Sequence, residues 1–324
     1  MKSFTFFFLL SFAAIGAAEP LYHTYSIVAR DPDTGELGVA VQTHWFAVGS
    51  RVPWAEAGVG AVATQSFTEV SYGPLGLQLM KAGKTAPEAL SSLLASDSGR
   101  EVRQVGMIDS RGNTAVHTGD KCIAQAGHKM GSNYSVQANM MEKSTVWPAM
   151  AVAFENAKGD LAERMLAALE AAQKEGGDIR GKQSAAILVV SGKPTGVSWK
   201  DRLIDLRVED HAEPLLELRR LLQIHHAYRL MDRGDELVAE KKISEGMKEY
   251  ERALQLLPQN DEIIFWSGIS LFTAGEEKRA MEMLQPLFRR EPRWFALLER
   301  LPAADLLKQS EAEKLRSLYT TGLK

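Results

Sequence analysis

Two hydroxyls spaced two residues apart, Thr24 and Ser26, are the first groups in the chain that could do covalent chemistry. They lie in the stretch HTYSIVAR, whose alternation reads as a β-strand with Thr24, Ser26 and Val28 on one face and Tyr25, Ile27 and Ala29 on the other. A hydroxyl there can attack a carbonyl carbon once a nearby base takes its proton. Threonine is also a good strand former, and on this stretch alone that plainer account is preferred. Other candidates are weaker. His117 and His128 lack metal-ligand spacing and read as ordinary hydrogen-bonded histidines. His225 and His226 are adjacent on a helix and point apart. Cys122, in the strand-like run GDKCIAQAG, reads as a buried inert thiol. Trp147, Trp199, Trp266 and Trp294 read as core or interface residues rather than a carbohydrate platform, and no metal or cofactor is expected.

The elements that must hold these groups begin with a hairpin. Asp31-Pro32-Asp33-Thr34-Gly35-Glu36 supplies turn chemistry between the first strand and a second over Leu37 to Thr43. Trp54 to Ser66 reads as a small-residue central strand. A helix follows Tyr72-Gly73-Pro74 and ends near Gly83, and a second starts from the cap Thr85 with Pro87 in its first turn. Arg103 to Asp109 and Thr114 to Thr118 make another hairpin, and Cys122 to Ala126 and Tyr134 to Met141 continue the strands. Helices over Thr145 to Asn156 and Leu161 to Lys174, then strands over Ser184 to Val190 and Arg202 to Val208, complete an α+β order.

From about Glu209 the chain reads as helical throughout. Pro258 and Pro292 stand 34 residues apart, the period of tetratricopeptide helix pairs, with Gly234, Tyr250 and Ala253 fitting one unit and Gly268 and Ala280 the next. A plain helical bundle is the alternative. At the other end, Met1 to Ala18 reads as a secretory signal: Lys2, then the apolar run Phe4 to Ala14, then Gly16-Ala17-Ala18. The expected parts are therefore a signal segment 1–18, a catalytic-type domain 19–210 and a helical domain 211–324. Export to the periplasm or outside follows. With 324 residues, a formal net charge of -3 and one cysteine, the chain suggests neither a nucleic-acid footprint nor an internal disulfide. No membrane span is expected once the signal is cut.

The order of elements resembles the N-terminal nucleophile (Ntn) hydrolase fold of proteasome subunits and related amidohydrolases. More closely, TYSIVARDPDTGELGVAVQTH, GVGAVATQS, YGPLGL, RQVGMID, YSVQANMM and GKQSAAILVV are similar to an uncharacterised bacterial family of unknown function assigned to that superfamily. Some members carry a C-terminal segment described as peptidoglycan-binding. The resemblance covers roughly Tyr22 to Asp210 and implies a four-layer αββα sandwich followed by an all-α helical-repeat domain. It also implies that Thr24 attacks a C–N amide bond with its own α-amine as base, whose pKa of about 7.7 to 8.0 suits a neutral pH. Carried over by position, Asn139 helps form an oxyanion hole, and Asp178 with Ser184 polarises the amine. Gln42 and His44 end the second strand beside Thr24, and Ser26 shares its face.

The chain departs from the superfamily pattern in two places. The usual lysine of the third strand has no counterpart between Arg51 and Gly60; Arg51 and, upstream of that run, His44 are the candidate substitutes. Signal cleavage after Ala18 leaves Glu19 to His23 ahead of Thr24, so either a second cut at His23-Thr24 frees the amine or His44 serves as base. The expected partners are a small amide or peptide substrate, a protein or cell-wall partner for the C-terminal helices, and further copies of the chain in a homo-oligomer. A non-catalytic scaffold that binds through those helices is the other reading.

Overall fold

The computed structural model describes residues 21–22 and 24–321; the signal segment expected over 1–18, the residues Glu19 and Pro20, and His23 lie outside the described residues. In chain order the elements are β1 (Leu21–Tyr22), β2 (Thr24–Arg30), β3 (Leu37–Thr43), β4 (Pro53–Glu56), β5 (Gly60–Phe67), α1 (Tyr72–Lys81), α2 (Ala86–Ser96), β6 (Arg103–Asp109), β7 (Thr114–Thr118), β8 (Gly127–Gly131) and β9 (Tyr134–Ala138). Then come α3 (Val146–Asn156), α4 (Leu161–Lys174), β10 (Ser184–Val190), α5 (Ser198–Asp201) and β11 (Arg202–Val208). The remainder is helical: α6 (Pro214–Ala239), α7 (Ile243–Leu256), α8 (Asp261–Thr273), α9 (Glu277–Arg290), α10 (Pro292–Leu298) and α11 (Gln309–Thr321). The fold is α+β.

The strands form two antiparallel sheets. One has the order β1-β5-β6-β7, with β4 also on β5; the other has the order β11-β10-β3-β2-β9-β8. Helices α1 and α2 pack on the first sheet, α3 and α4 on the second, and the strands β2 and β3 face β5 across the gap between the sheets. The β2–β3 turn forms as its residues dictate: Asp31 Oδ1 accepts from the amides of Asp33 and Thr34, both at 2.9 Å, and Gly35 takes φ +77°. Alternation then splits β2. Val28, with Val39 and Val41 of β3, joins Ala61, Ala63 and Ile108 in an apolar cluster between the sheets. Tyr25 points the other way, its hydroxyl 3.0 Å from Gln173 of α4. Both α2 and α4 start from complete capping boxes, Thr85 with Glu88 and Asp160 with Glu163.

Three boundaries differ from the sequence reading. The run from Trp54 to Ser66 is two paired strands, because Gly58 takes φ +69° and the amide of Val59 bonds back to Glu56 O. Cys122 to Ala126 is irregular rather than a strand: Gln125 has φ +55°, and the carbonyls of Ile123 and Gln125 accept from the amides of Met140 and Met141. The strand expected to reach Met141 stops at Ala138, since Met140 is left-handed at φ +58°.

The chain divides into two compact units, the first through Leu218 and the second from Arg219, so the division falls inside α6. The second unit has its own core, in which Phe265, Leu271, Leu284, Leu287, Phe288 and Leu315 are buried. Within it the packing repeats. A Cβ on Gly234 would fall on the ring of Tyr250, and a Cβ on Gly268 on the side chain of Leu284, the second pair lying 34 residues after the first.

One close approach ties the sheets together. A Cβ on Gly106 of β6 would stand 2.6 Å from Gln137 Oε1 on β9. Gly106→Val is expected to lower stability by about 1 to 3 kcal/mol through overpacking, read as a lower urea midpoint at unchanged m-value; an unchanged midpoint would show that Gln137 moves aside freely.

Candidate functional site

Strand pairing puts one polar row on each sheet and faces them together. On the first sheet Gln65, Gln104 and Thr118 are direct neighbours; on the second Ser26 pairs with Gln137, which pairs with His128. Ser26, Gln65, Gln104, Ser135 and Gln137 are fully buried. Such groups are tolerated inside only when hydrogen-bonded, and here the bonds run one way. Ser135 Oγ donates to Gln137 Oε1 (3.2 Å), Gln137 Nε2 to Ser26 Oγ (2.7 Å), and Ser26 Oγ to Gln65 Oε1 (2.6 Å). Gln65 Nε2 then donates to Gln104 Oε1 (2.8 Å), and Gln104 Nε2 to Thr118 Oγ1 (2.9 Å). Thr118 Oγ1 lies 2.9 Å from His128 Nδ1. Which of the two donates in this last contact follows from the tautomer of His128. Burial, and behind it the neighbouring His117, lowers the His128 pKa, in keeping with a neutral ring.

Thr24 sits at the side of this series. Its carbonyl accepts from Gln65 Nε2 at 3.1 Å, from the Asn139 amide at 3.1 Å and from Asn139 Nδ2 at 3.4 Å; Asn139 Nδ2 also reaches Gln104 Oε1 at 2.9 Å. Its side chain is completely buried, and Oγ1 has no hydrogen-bond partner. Asn139 therefore clamps the Thr24 backbone. Ser184 pairs with Thr43, which pairs with Thr24, so the three form one row across the sheet. The Ser184 hydroxyl is committed to the chain after β3: it donates to Trp45 O at 2.5 Å and accepts from the Val48 amide at 3.1 Å.

The remaining sequence candidates gather on the opposite face of β2. Gln42 Oε1 accepts from the Tyr25 hydroxyl, so its side chain lies with Tyr25 and α4 rather than beside Thr24. The reason is register: Gln42 pairs with Tyr25, and paired residues share a face. Gln42 Nε2 is buried without a partner. Asp178, 2 % exposed, accepts from the His44 amide at 3.1 Å and pairs with Arg180 at 2.7 Å. Burial first, then the Asp178 charge, raises the Tyr25 pKa well above its ordinary value. His44 Nδ1 lies 3.3 Å from Lys182 O. Ser26, Thr24, Asn139 and Ser184 are thus inside the sheet pair, and Gln42 and Asp178 on the helix side.

Cys122 donates to Arg103 O at 3.3 Å, and burial raises its pKa, which disfavours the thiolate. Among the described residues no cluster of His, Cys, Asp and Glu could hold a metal ion, and no helix is long and apolar enough to cross a membrane.

The model of a family of unknown function, DUF1028, matches residues 24–218. The chain belongs to the DUF1028 family. A crystal structure of a DUF1028 protein from Silicibacter pomeroyi is similar to it, with 31% identity and a TM-score of 0.56 over 62% of this chain and 88% of that one. No curated protein matches. The DUF1028 match starts on Thr24 and ends on the last residue of the first compact unit.

Sequence reading missed Gln65, Gln104 and Gln137, the residues that bring Thr24, Ser26 and Asn139 together. Their signal in this DUF1028 chain was modest: each is a single glutamine within a strand, in GAVATQSF, RQVGMID and YSVQA. Gln104→Leu removes a side chain bonded to Gln65, Asn139 and Thr118, and should cost about 2 to 3 kcal/mol by leaving buried groups unpaired; chemical denaturation checks it.

The pH dependence follows from His128. Its folded pKa is below the unfolded value of about 6.5, so the unfolded chain binds more protons, and the stabilisation is whole above that value and lost as pH falls through the lowered one. The wild-type denaturation midpoint should therefore drop more steeply between about pH 7 and pH 5 than that of His128→Gln; parallel profiles would refute it.

Proposed function

We propose that this DUF1028 chain is an exported hydrolase of C–N amide bonds of the Ntn type, built as a four-layer αββα sandwich, with Thr24 as nucleophile. The observation that carries the reading is the Thr24 hydroxyl itself: buried, without a hydrogen-bond partner, on a residue whose carbonyl is held by three donors. A buried unpaired hydroxyl costs about 1 to 3 kcal/mol, and such costs gather at functional sites. That the family match begins on this residue supports the same reading.

In this reading a cut before Thr24 frees its α-amine, which takes the hydroxyl proton. Oγ1 bonds to the amide carbon, the C–N bond breaks, and the leaving nitrogen takes the proton from the ammonium. Water then attacks the ester carbon, its proton returns through the amine to Oγ1, and the acid departs. The Gln65 and Asn139 amides fix the position of Thr24, so no reorganisation is needed at the moment of attack. The helices beyond Leu218, with packing that repeats at the tetratricopeptide period, would hold an envelope or protein partner.

A second reading, a scaffold without turnover, draws on the complete burial of the same hydroxyl. Intact mass and N-terminal sequencing of the exported protein separate the two. The expected first residue is Thr24, and Thr24→Ala should leave the upstream residues attached and reduce amide turnover by at least about a thousandfold, with Thr24→Ser retaining part of both. A chain that always begins upstream of Thr24 would sink the terminal-amine mechanism.

A further inference from the structure

The two strands on either side of residue 23 belong to different sheets. Thr24 opens β2 in the second sheet, whereas β1 is antiparallel to β5 in the first, Tyr22 opposite Ser66 and Leu21 opposite Phe67. Along its other side β5 is paired with β6 from Gly60 to Ser66. The edge that receives β1 is shared end to end: β4 pairs with Gly60 to Ala63, Val52 O takes the amide of Thr64, and β1 fills the last positions, 66 and 67. Between these comes Gln65, whose side chain holds the Thr24 carbonyl. The backbone edge at Ser66–Phe67 is thus one residue from the group that positions the candidate nucleophile.

Side chains also hold the end of that edge. Phe67 O accepts from Arg103 Nη1 at 2.7 Å, and Arg103, only 5 % exposed, pairs with Asp97 at 3.0 Å, which in turn accepts from the Tyr72 hydroxyl at 3.0 Å. A strand edge held this way suits main-chain recognition, in which an extended peptide adds a strand and its backbone supplies the affinity.

We infer that the lane now filled by β1 is the substrate lane: the protein takes an extended peptide, antiparallel to the end of β5, whose acyl side runs from Thr24 outward past Ser66 and Phe67. The inference rests on the Thr24 hydrolase reading for its chemistry and on strand pairing for its geometry. By the β1 register, the second residue before the scissile bond lies opposite Ser66 and the third opposite Phe67, so recognition needs an acyl part of three residues. The substrate is a peptide and not a small free amide.

The test uses the full chain in two forms, one beginning at Thr24 after release from a cleavable fusion, the other beginning at Glu19 and carrying Thr24→Ala so that it stays uncut. The probe is the synthetic peptide Glu-Pro-Leu-Tyr-His, the sequence of residues 19–23, followed by backbone amide NMR. Saturable shifts at the Ser66 and Phe67 amides are expected in the first form and none in the second, and N-methylation of the peptide's tyrosine nitrogen should weaken binding about tenfold, as one backbone hydrogen bond is lost. No shift at those amides, equal shifts in both forms, or indifference to N-methylation would overturn the lane. Peptide binding with no turnover of any amide would count against the hydrolase and leave the lane standing; turnover of small amides without peptide binding would do the reverse.

Discussion

The first compact unit depends on a directional constraint: a series of side chains, buried from Ser135 through Gln137, Ser26 and Gln65 to Gln104 and ending on the half-buried Thr118, in which each group donates to the next. Hydrogen bonds in a low-dielectric interior polarise one another when aligned, and a break leaves a costly orphan on each side. The series therefore acts as a unit. It also joins the sheets, because it crosses from one to the other between Ser26 and Gln65: Ser135, Gln137 and Ser26 lie on one, Gln65, Gln104 and Thr118 on the other. Apolar packing around Val28, Val41 and Ala63 closes the gap between the sheets without choosing a register. A shift of one residue in β5 would turn Gln65 toward α1 and strand both partners.

Strand alternation gives β2 two separate chemistries. On the inner face Thr24 and Ser26 meet amides, neutral donors and acceptors that set geometry without adding charge. On the outer face Tyr25 meets Gln42, Gln173 and the field of the Asp178 carboxylate. The carboxylate is balanced by Arg180 and accepts from the amide of His44, just past the end of β3. Adjacent strand residues are close in sequence yet belong to different environments.

How much of this was legible in the sequence follows the range of the interactions. The hairpin, the cap at Thr85, and the strands Arg103–Asp109, Thr114–Thr118, Ser184–Val190 and Arg202–Val208 were readable because periodicity, caps and turn residues act locally. Strand alternation put Thr24 and Ser26 on one face and family resemblance brought Asn139 to Thr24, with Gln65 and Gln104 unnoticed between them. Those glutamines gain their meaning from partners dozens of residues away, and nothing in a local window separates a glutamine between two sheets from one on a surface. Gln42 failed for a related reason. Nearness in sequence to the end of β3 suggested a place beside Thr24, but pairing with Tyr25 puts it on the other face. Cys122 to Ala126 misled because β-like composition cannot reveal a left-handed Gln125.

The unpaired Thr24 hydroxyl gains weight from its surroundings. Close by, Ser26, Gln65, Gln104, Gln137 and Asn139 all have partners at hydrogen-bond distance, whereas Ser66 Oγ, beside Gln65, and Gln42 Nε2, on the helix side, share the unpaired state of Thr24 Oγ1. A hydroxyl rotates freely and accepts on either lone pair, which makes it the easiest of these groups to satisfy. A strand position that asked only for β-propensity would be filled by valine at lower cost, as Val28, Val39 and Val41 fill theirs. Threonine at 24 therefore carries a hydroxyl that the folded chain does not use for its own stability. Its backbone carbonyl is held by three donors where the chain passes from one sheet to the other, and the Gln65 that supplies one of them is one residue from the edge that β1 occupies.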